Sequence, residues 1–199
     1  MGEKLMLTQK KSENRLNEQE LVEGCKAQNP RIQKEVYEKY SRGMYALCLR
    51  YVKDTAEAED ILIIGFRKVF DRIHQFRGDG SFPGWIRRIM VNECLAYLEK
   101  NKALFQDIGM SNILPSGYWQ KPSDELEVDD LMNLINSLPT GYKSVFNLYA
   151  IEGYSHQEIA EKLQITVGTS KSQLSRARIH IQRMISVQAN ANQDWMLSA

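Results

Sequence analysis

Residues 167–187 carry Lys171, Arg176, Arg178 and Arg183 without a single acidic side chain among them. Cations at helical spacing, interleaved with the hydroxyls of Thr169, Ser172 and Ser175, are the groups that hold phosphates and read base edges in a groove of duplex nucleic acid. A second cluster precedes them. Phe76, Arg77, Phe82 and Trp85 surround Gly78 and Gly80, and Arg87, Arg88 and Asn92 follow. Aromatic rings and cations on a glycine-loosened loop suit the capture of an unstacked base, which recovers the roughly few kcal/mol spent on opening each step. Taken singly, Phe82 and Trp85 fit a hydrophobic core equally well.

The elements that must position these residues can be read from spacing. On a helical wheel of about 100° per residue started at Gly168, Leu174, Ala177, Ile181 and Ile185 share one arc and predict a core-facing side. Ser172, Ser175, Arg176, Ile179 and Arg183 occupy the opposite arc, flanked by Thr169 and Lys171. A basic helix by itself is most simply a solvated face. What precedes this one changes the reading: Ser155 and Glu158 have capping-box spacing and predict a helix over 155–163, Gln164-Ile165-Thr166 leaves room only for a tight turn, and Thr166 can cap the next helix. That order is a helix-turn-helix pattern. Residues 128–187 are expected to form four short helices broken by Pro139, Gly153 and Gly168. The tail, 188–199, lacks periodicity and is expected to be unstructured, with Trp195 as a contact residue.

Residues 17–98 show apolar spacing of helical period and no alternating strand pattern. Asn29-Pro30 separates a first helix from a second, and 76–83 is a loop before an apolar run that starts near Trp85. Residues 99–127 lose periodicity and hold Pro115, Gly117, Pro122 and the acidic Asp124, Glu125 and Glu127, as expected of a linker. Extended, such a linker reaches ~95 Å, nearly three turns of duplex, so two modules could occupy separate sites. The expected fold is all-α: two small helical domains, 17–98 and 128–187, joined by a flexible linker. Charge follows this division, with +2 over 1–99, −3 over 100–140 and +3 over 141–187.

Composition narrows the function further. With 199 residues, 43% hydrophobic and a mean hydropathy of −0.44, the chain reads as a globular protein of one or two small domains. Cys25, Cys48 and Cys94 form no C-x-x-C pair, and the three histidines are scattered, so neither a disulfide framework nor a metal centre is expected. The first twenty residues lack an apolar signal core, no run approaches the ~20 apolar residues of a membrane span, and Met6 stands where myristoylation wants Ser or Thr. These point to the cytoplasm. No phosphate-binding loop, H-E-x-x-H or nucleophile elbow occurs, so neither an enzymatic role nor a cofactor is expected.

The segment starting at Leu138, LPTGYKSVFNLYAIEGYSHQEIAEKLQITVGTSKSQLSRAR, resembles region 4 of the extracytoplasmic-function (ECF) sigma factors of bacterial RNA polymerase. The segment starting at Ala58, AEDILIIGFRKVFDRIHQFRGDGSFPGWIRRIMVNECLAYL, resembles region 2 of the same family. The resemblance implies a promoter-selecting initiation factor whose partners are core RNA polymerase, promoter DNA and an anti-sigma factor. It assigns Phe76, Arg77, Gly78, Phe82, Trp85, Arg87, Arg88 and Asn92 to the minus-ten element, the loop capturing a flipped base. Thr169, Lys171, Ser172, Gln173, Ser175, Arg176 and Arg183 go to the minus-thirty-five duplex. On the helix around residues 60–76 it assigns Asp60, Ile63, Ile64 and Arg67 to the polymerase clamp. Where the family shows a Gln followed by an acidic residue, this chain has Ile63 and Ile64, with Ile64 in the middle of a polar face. Three readings follow: an apolar clamp contact, weakened polymerase affinity, or cover by another partner. Sequence favours erosion of a polar contact. Gln164 likewise replaces the Gly preferred for the left-handed turn residue, at a penalty of roughly 1 kcal/mol. The rival reading is a stand-alone helix-turn-helix regulator, but a phosphoacceptor receiver domain would need strands that 17–98 does not show.

Overall fold

The computed structural model describes residues 16–101 and 128–196, with no strand among them. Among the described residues there are eight α-helices: α1 (Glu18–Lys26), α2 (Pro30–Leu49), α3 (Thr55–Asp71), α4 (Phe82–Lys100), α5 (Val128–Ser137), α6 (Thr140–Phe146), α7 (His156–Leu163) and α8 (Val167–Met196). The expected linker lies outside the described residues from 102 to 127.

Helix starts follow capping chemistry closely. Asn17 and Glu20 form a reciprocal capping box on α1, with Asn17 Oδ1 accepting from the Glu20 N–H at 2.9 Å. Asn29 caps α2 with Pro30 in the first turn, where a missing N–H matters least. Asp54 accepts the N–H groups of Ala56 and Glu57 at the head of α3. Ser81 caps α4, which therefore begins at Phe82 and not near Trp85.

In the first domain α3 packs between α2 and α4. Its buried face is Ala58, Ile61, Leu62, Gly65, Phe66 and Val69, against Met44, Leu47 and Cys48 of α2 and Ile86, Met90 and Cys94 of α4. Gly65 lets α3 and α4 approach closely, since a Cβ there would collide with the Met90 thioether. All three cysteines are free and buried, and burial pushes the Cys25 thiol up to about 11.

The second domain packs α8 across α6 and α7. Leu134, Leu138, Val145, Leu148, Ile159, Leu174 and Ala177 fill its interior. Two features depart from the sequence reading. Helix α6 does not end cleanly but widens into a π-turn, Asn147–Ile151, before Gly153 turns the chain at φ 78°. Helix α8 is not short: its 30 residues include Gly168 in the first turn and run through the stretch after Gln188 that lacks periodicity. Nucleation is the expensive step, so a formed helix extends through Gln- and Ala-rich sequence without an apolar stripe. The domains are in contact. Val145, Leu148, Ile159 and Leu174 belong to one continuous cluster with the first-domain core.

Candidate nucleic-acid interface

The helix-turn-helix is held by local polar bonds. Ser155 and Glu158 form the capping box of α7, and those bonds hold the exposed Glu158 carboxyl below its usual range. Gln164 closes α7 in the left-handed region at φ 52°, ψ 44°. Thr166 Oγ1 then accepts the Thr169 N–H at 3.0 Å to start α8. One tie has no signature in the spacing: fully buried Ser170 on α8 pairs its hydroxyl with His156 Nδ1 at 2.9 Å, fixing the angle between the two helices.

This frame exposes Lys171, Ser172, Ser175, Arg176 and Arg183 on the outer side of α8, with Thr169 half-buried at its head. Ile179, 45% exposed, sits among them, while Leu174 and Ala177 face inward as the wheel predicts. Ile181 and Ile185 are only half-buried. Arg178 turns aside to lie over the Tyr149 ring, 5.8 Å from its centroid. Gln173 must be corrected. Its side chain lies against Gly141 of α6 and lines a cleft of about 660 Å³ between the domains, so it is not on the exposed cationic face.

In the first domain Phe82 is the larger correction. Its side chain is fully buried, packed against Tyr40, Phe76 and Trp85 at centroid distances of 6.0, 5.4 and 6.1 Å. Its N–H donates to the Glu18 carboxylate at 2.6 Å. A ring so enclosed cannot stack on a base; it supports Phe76 and Trp85, which are half-buried above it. Arg77 and Gly78 (φ 83°) are exposed at the loop tip. Arg87, Arg88 and Asn92 all face the second domain: Arg87 and Asn92 bond Glu152 and Lys162, and the Arg88 guanidinium lies near the Tyr154 hydroxyl.

On α3, Asp60, Ile63, Ile64 and Arg67 share the exposed face, with Ile63 61% and Ile64 42% exposed. Ile63, but not Ile64, also borders a shallow groove of about 320 Å³ with Tyr37, Tyr45 and Leu62, whose edge carries Ser41, Arg42 and Glu59.

Residues 36–104 match the family description "Sigma-70 region 2" and residues 129–181 match "Sigma-70, region 4", together more than half of the chain. The RNA polymerase sigma-H factor of Pseudomonas aeruginosa is 28% identical over 193 residues, covering 90% of this chain and 96% of that protein. The ECF RNA polymerase sigma factor SigM of Bacillus subtilis is 26% identical over 149 residues, covering 72% and 89%. The chain belongs to the sigma-70 family and is an ECF-type RNA polymerase sigma factor. Its fold matches that of the sigma factor RpoE from Bartonella quintana, solved with the anti-sigma factor NepR, at a TM-score of 0.50 and 21% identity over 77% of this chain and 96% of that one.

The sigma factor's domain junction contains residues that spacing does not single out. Glu152, at the C-terminal end of the π-turn, receives Arg87 Nη2 at 2.8 Å, Arg87 Nε at 2.5 Å and Arg50 Nη2 at 3.1 Å. Asn147 Nδ2 donates to the Arg50 carbonyl at 2.8 Å, and Lys162 Nζ donates to Asn92 Oδ1 at 3.0 Å. One signal was present in the sequence: a carboxylate at a helix C-terminus opposes the helix dipole and calls for a cation. Among the described residues no group of His, Cys, Asp and Glu comes together to hold a metal, and no helix is long and apolar enough to cross a membrane.

Proposed function

We propose that this sigma factor selects promoters through two surfaces and is itself neither an enzyme nor membrane-inserted, acting in the cytoplasm. Residues 128–187 read the minus-thirty-five duplex through the outer side of α8. Residues 17–98 bind the polymerase clamp through α3 and hold the opened minus-ten strand through the 76–83 loop and the head of α4. Phe76, Arg77 and Trp85 are the loop residues left free to touch a base. The observation that carries this reading is the acid-free exposed face of Lys171, Ser172, Ser175, Arg176 and Arg183 on a helix whose position is fixed by Ser170 and His156. Such a face offers phosphate contacts and base-edge donors on one rigid element. An anti-sigma factor is a further proposed partner, supported by the complex in which the related fold was solved.

Run-off transcription with added core polymerase on a genomic library, read by sequencing, tests the reading. A defined set of start sites is expected. Deleting 78–80 should leave polymerase binding intact and block opening of closed duplex, while a premelted template partly restores activity. Full activity of the deletion on closed duplex would remove the loop from the mechanism. Binding to duplex without any polymerase-dependent initiation would favour a stand-alone regulator.

A further inference from the structure

One outward residue of α8 has nothing to offer a phosphate. Ile179 is 45% exposed, while Lys171, Ser172, Ser175, Arg176 and Arg183 around it are exposed and polar. A lone exposed apolar side chain is ordinary on a protein surface, so exposure by itself decides nothing. Its position does. On the wheel started at Gly168, Ile179 falls at about 20°, between Ser175 at about 340° and Ser172 at about 40°, near the middle of the arc that faces away from the core. Along the helix axis it stands one turn beyond Ser175 and one turn before Arg183, roughly 6 Å from each. It is therefore enclosed by the side chains assigned to base edges and phosphates.

Two contacts on the other sides of the helix hold it in that place. The Ser170 hydroxyl meets His156 Nδ1 at 2.9 Å and fixes α8 against α7. The Tyr149 ring stacks on His156, 4.6 Å between centroids, and carries the Arg178 guanidinium 5.8 Å from its own centroid. The neighbouring cation is thus drawn aside, and the centre of the outward arc between Arg176 and Arg183 is left to an aliphatic side chain. Branching at Cβ makes that side chain stiff, so little freedom is lost when it is covered.

An isoleucine side chain has neither donor nor acceptor. In the major groove a base pair offers it one apolar group, the C5 methyl of thymine; against the other base edges it would cover hydrogen-bonding groups and leave them unpaired. We infer that Ile179 is a specificity residue that reads the C5 methyl of a thymine in the minus-thirty-five duplex, about one turn along α8 from Arg176. This rests on the assignment of the outer side of α8 to that duplex. Arg176 selects by hydrogen bonds and Ile179 by burial of a methyl group, a contact that releases no counterion and so is indifferent to salt.

The test uses the full chain bound to core polymerase. Selection of the minus-thirty-five segment from a randomised library is expected to return thymine at one position, on either strand, and Ile179→Ala should lose that demand alone. Replacing this thymine with deoxyuridine removes the methyl and keeps every hydrogen-bonding group. It should weaken wild type about fourfold, the worth of one buried methyl, at low and high salt alike, and leave Ile179→Ala unaffected. Ile179→Val, which keeps the branched carbons, should retain the preference, and circular dichroism checks that both variants are folded. An equal deoxyuridine penalty in wild type and Ile179→Ala, or none at any thymine, would overturn the methyl contact while leaving the duplex reading intact. Weaker polymerase binding by Ile179→Ala with unchanged base preference would assign the side chain to polymerase and overturn it too. A wild type that selects no minus-thirty-five sequence would overturn the duplex reading itself, and the Ile179 contact with it.

Discussion

Arg176 and Arg183 share the exposed side of α8 about two turns apart, but they are expected to act differently. Arg176, nearer the helix start and beside Ser172, is placed to reach base edges. Arg176→Ala should weaken minus-thirty-five binding by ~1–3 kcal/mol and lose base preference at one position. Arg183→Ala should weaken all sequences alike and flatten the salt dependence by about one phosphate contact. Binding to a randomised duplex library at two salt concentrations distinguishes these, and loss of affinity without any change of preference in both variants would remove the base-reading role. At Ile64 the structure shifts the expectation. Sequence alone favours an eroded polar contact, whereas Ile63 beside it opens onto a mainly apolar groove with Tyr37, Tyr45 and Leu62, edged by Ser41, Arg42 and Glu59. Ile64→Glu should therefore weaken core-polymerase binding, since burial of an isoleucine is worth ~1.5–3 kcal/mol and an unmatched charge adds a penalty. Tighter binding in a polymerase titration would restore the eroded-contact reading. The face of α8 is legible in sequence because its period is local. Phe82 is not, because an aromatic beside a loop carries the same signal whether it meets a base or a core. Glu152 is not either: its partners lie 65 and 102 residues away.

Caps and turns are the elements most directly written in the chain. Asn17, Asn29, Asp54, Ser81, Ser155 and Thr166 each sit where a helix must satisfy orphan N–H groups, and each accepts a bond there. The π-turn and the length of α8 are not written this way, since both depend on what packs beneath or on a helix already formed. Gln164 gives a direct test of the turn. An L-residue in the left-handed region carries a penalty that glycine avoids, partly offset by glycine's freedom in the unfolded chain. Gln164→Gly should stabilise the second domain by about 0.5–1 kcal/mol in thermal melts. A lower melting temperature would mean that the Gln side chain contributes more than its backbone loses.

Across the whole molecule the junction also holds a like-charge pair. Lys143 on α6 is 4% exposed, and burial, with Lys53 of the first domain nearby, brings it from 10.5 to about 8. The unfolded chain keeps that proton to about 10.5, so between pH 8 and 10.5 the unfolded state binds more protons and stability rises with pH. Below pH 8 the penalty of burying the charge is fully present. Lys143→Met should be more stable than wild type at pH 7, and the difference should shrink between about pH 8 and 10 as wild type loses its proton. Parallel melting curves across that range would show that Lys143 is not the group responsible.

The π-turn at Asn147–Ile151 has a consequence of phase. A π-turn holds one more residue than the α-turn it replaces, so it works as an inserted residue that advances everything after it by about 100°. Here it begins at Asn147, which reaches the first domain, and ends just before Glu152, which must arrive on the same side. Removing Ala150 would regularise the helix, leave the caps of α7 and α8 untouched, and rotate Glu152 away from Arg87. A single deletion should thus loosen the contact between the two domains without altering any residue assigned to DNA or polymerase, as energy transfer between labels at Lys34→Cys and Glu161→Cys, both exposed, would show.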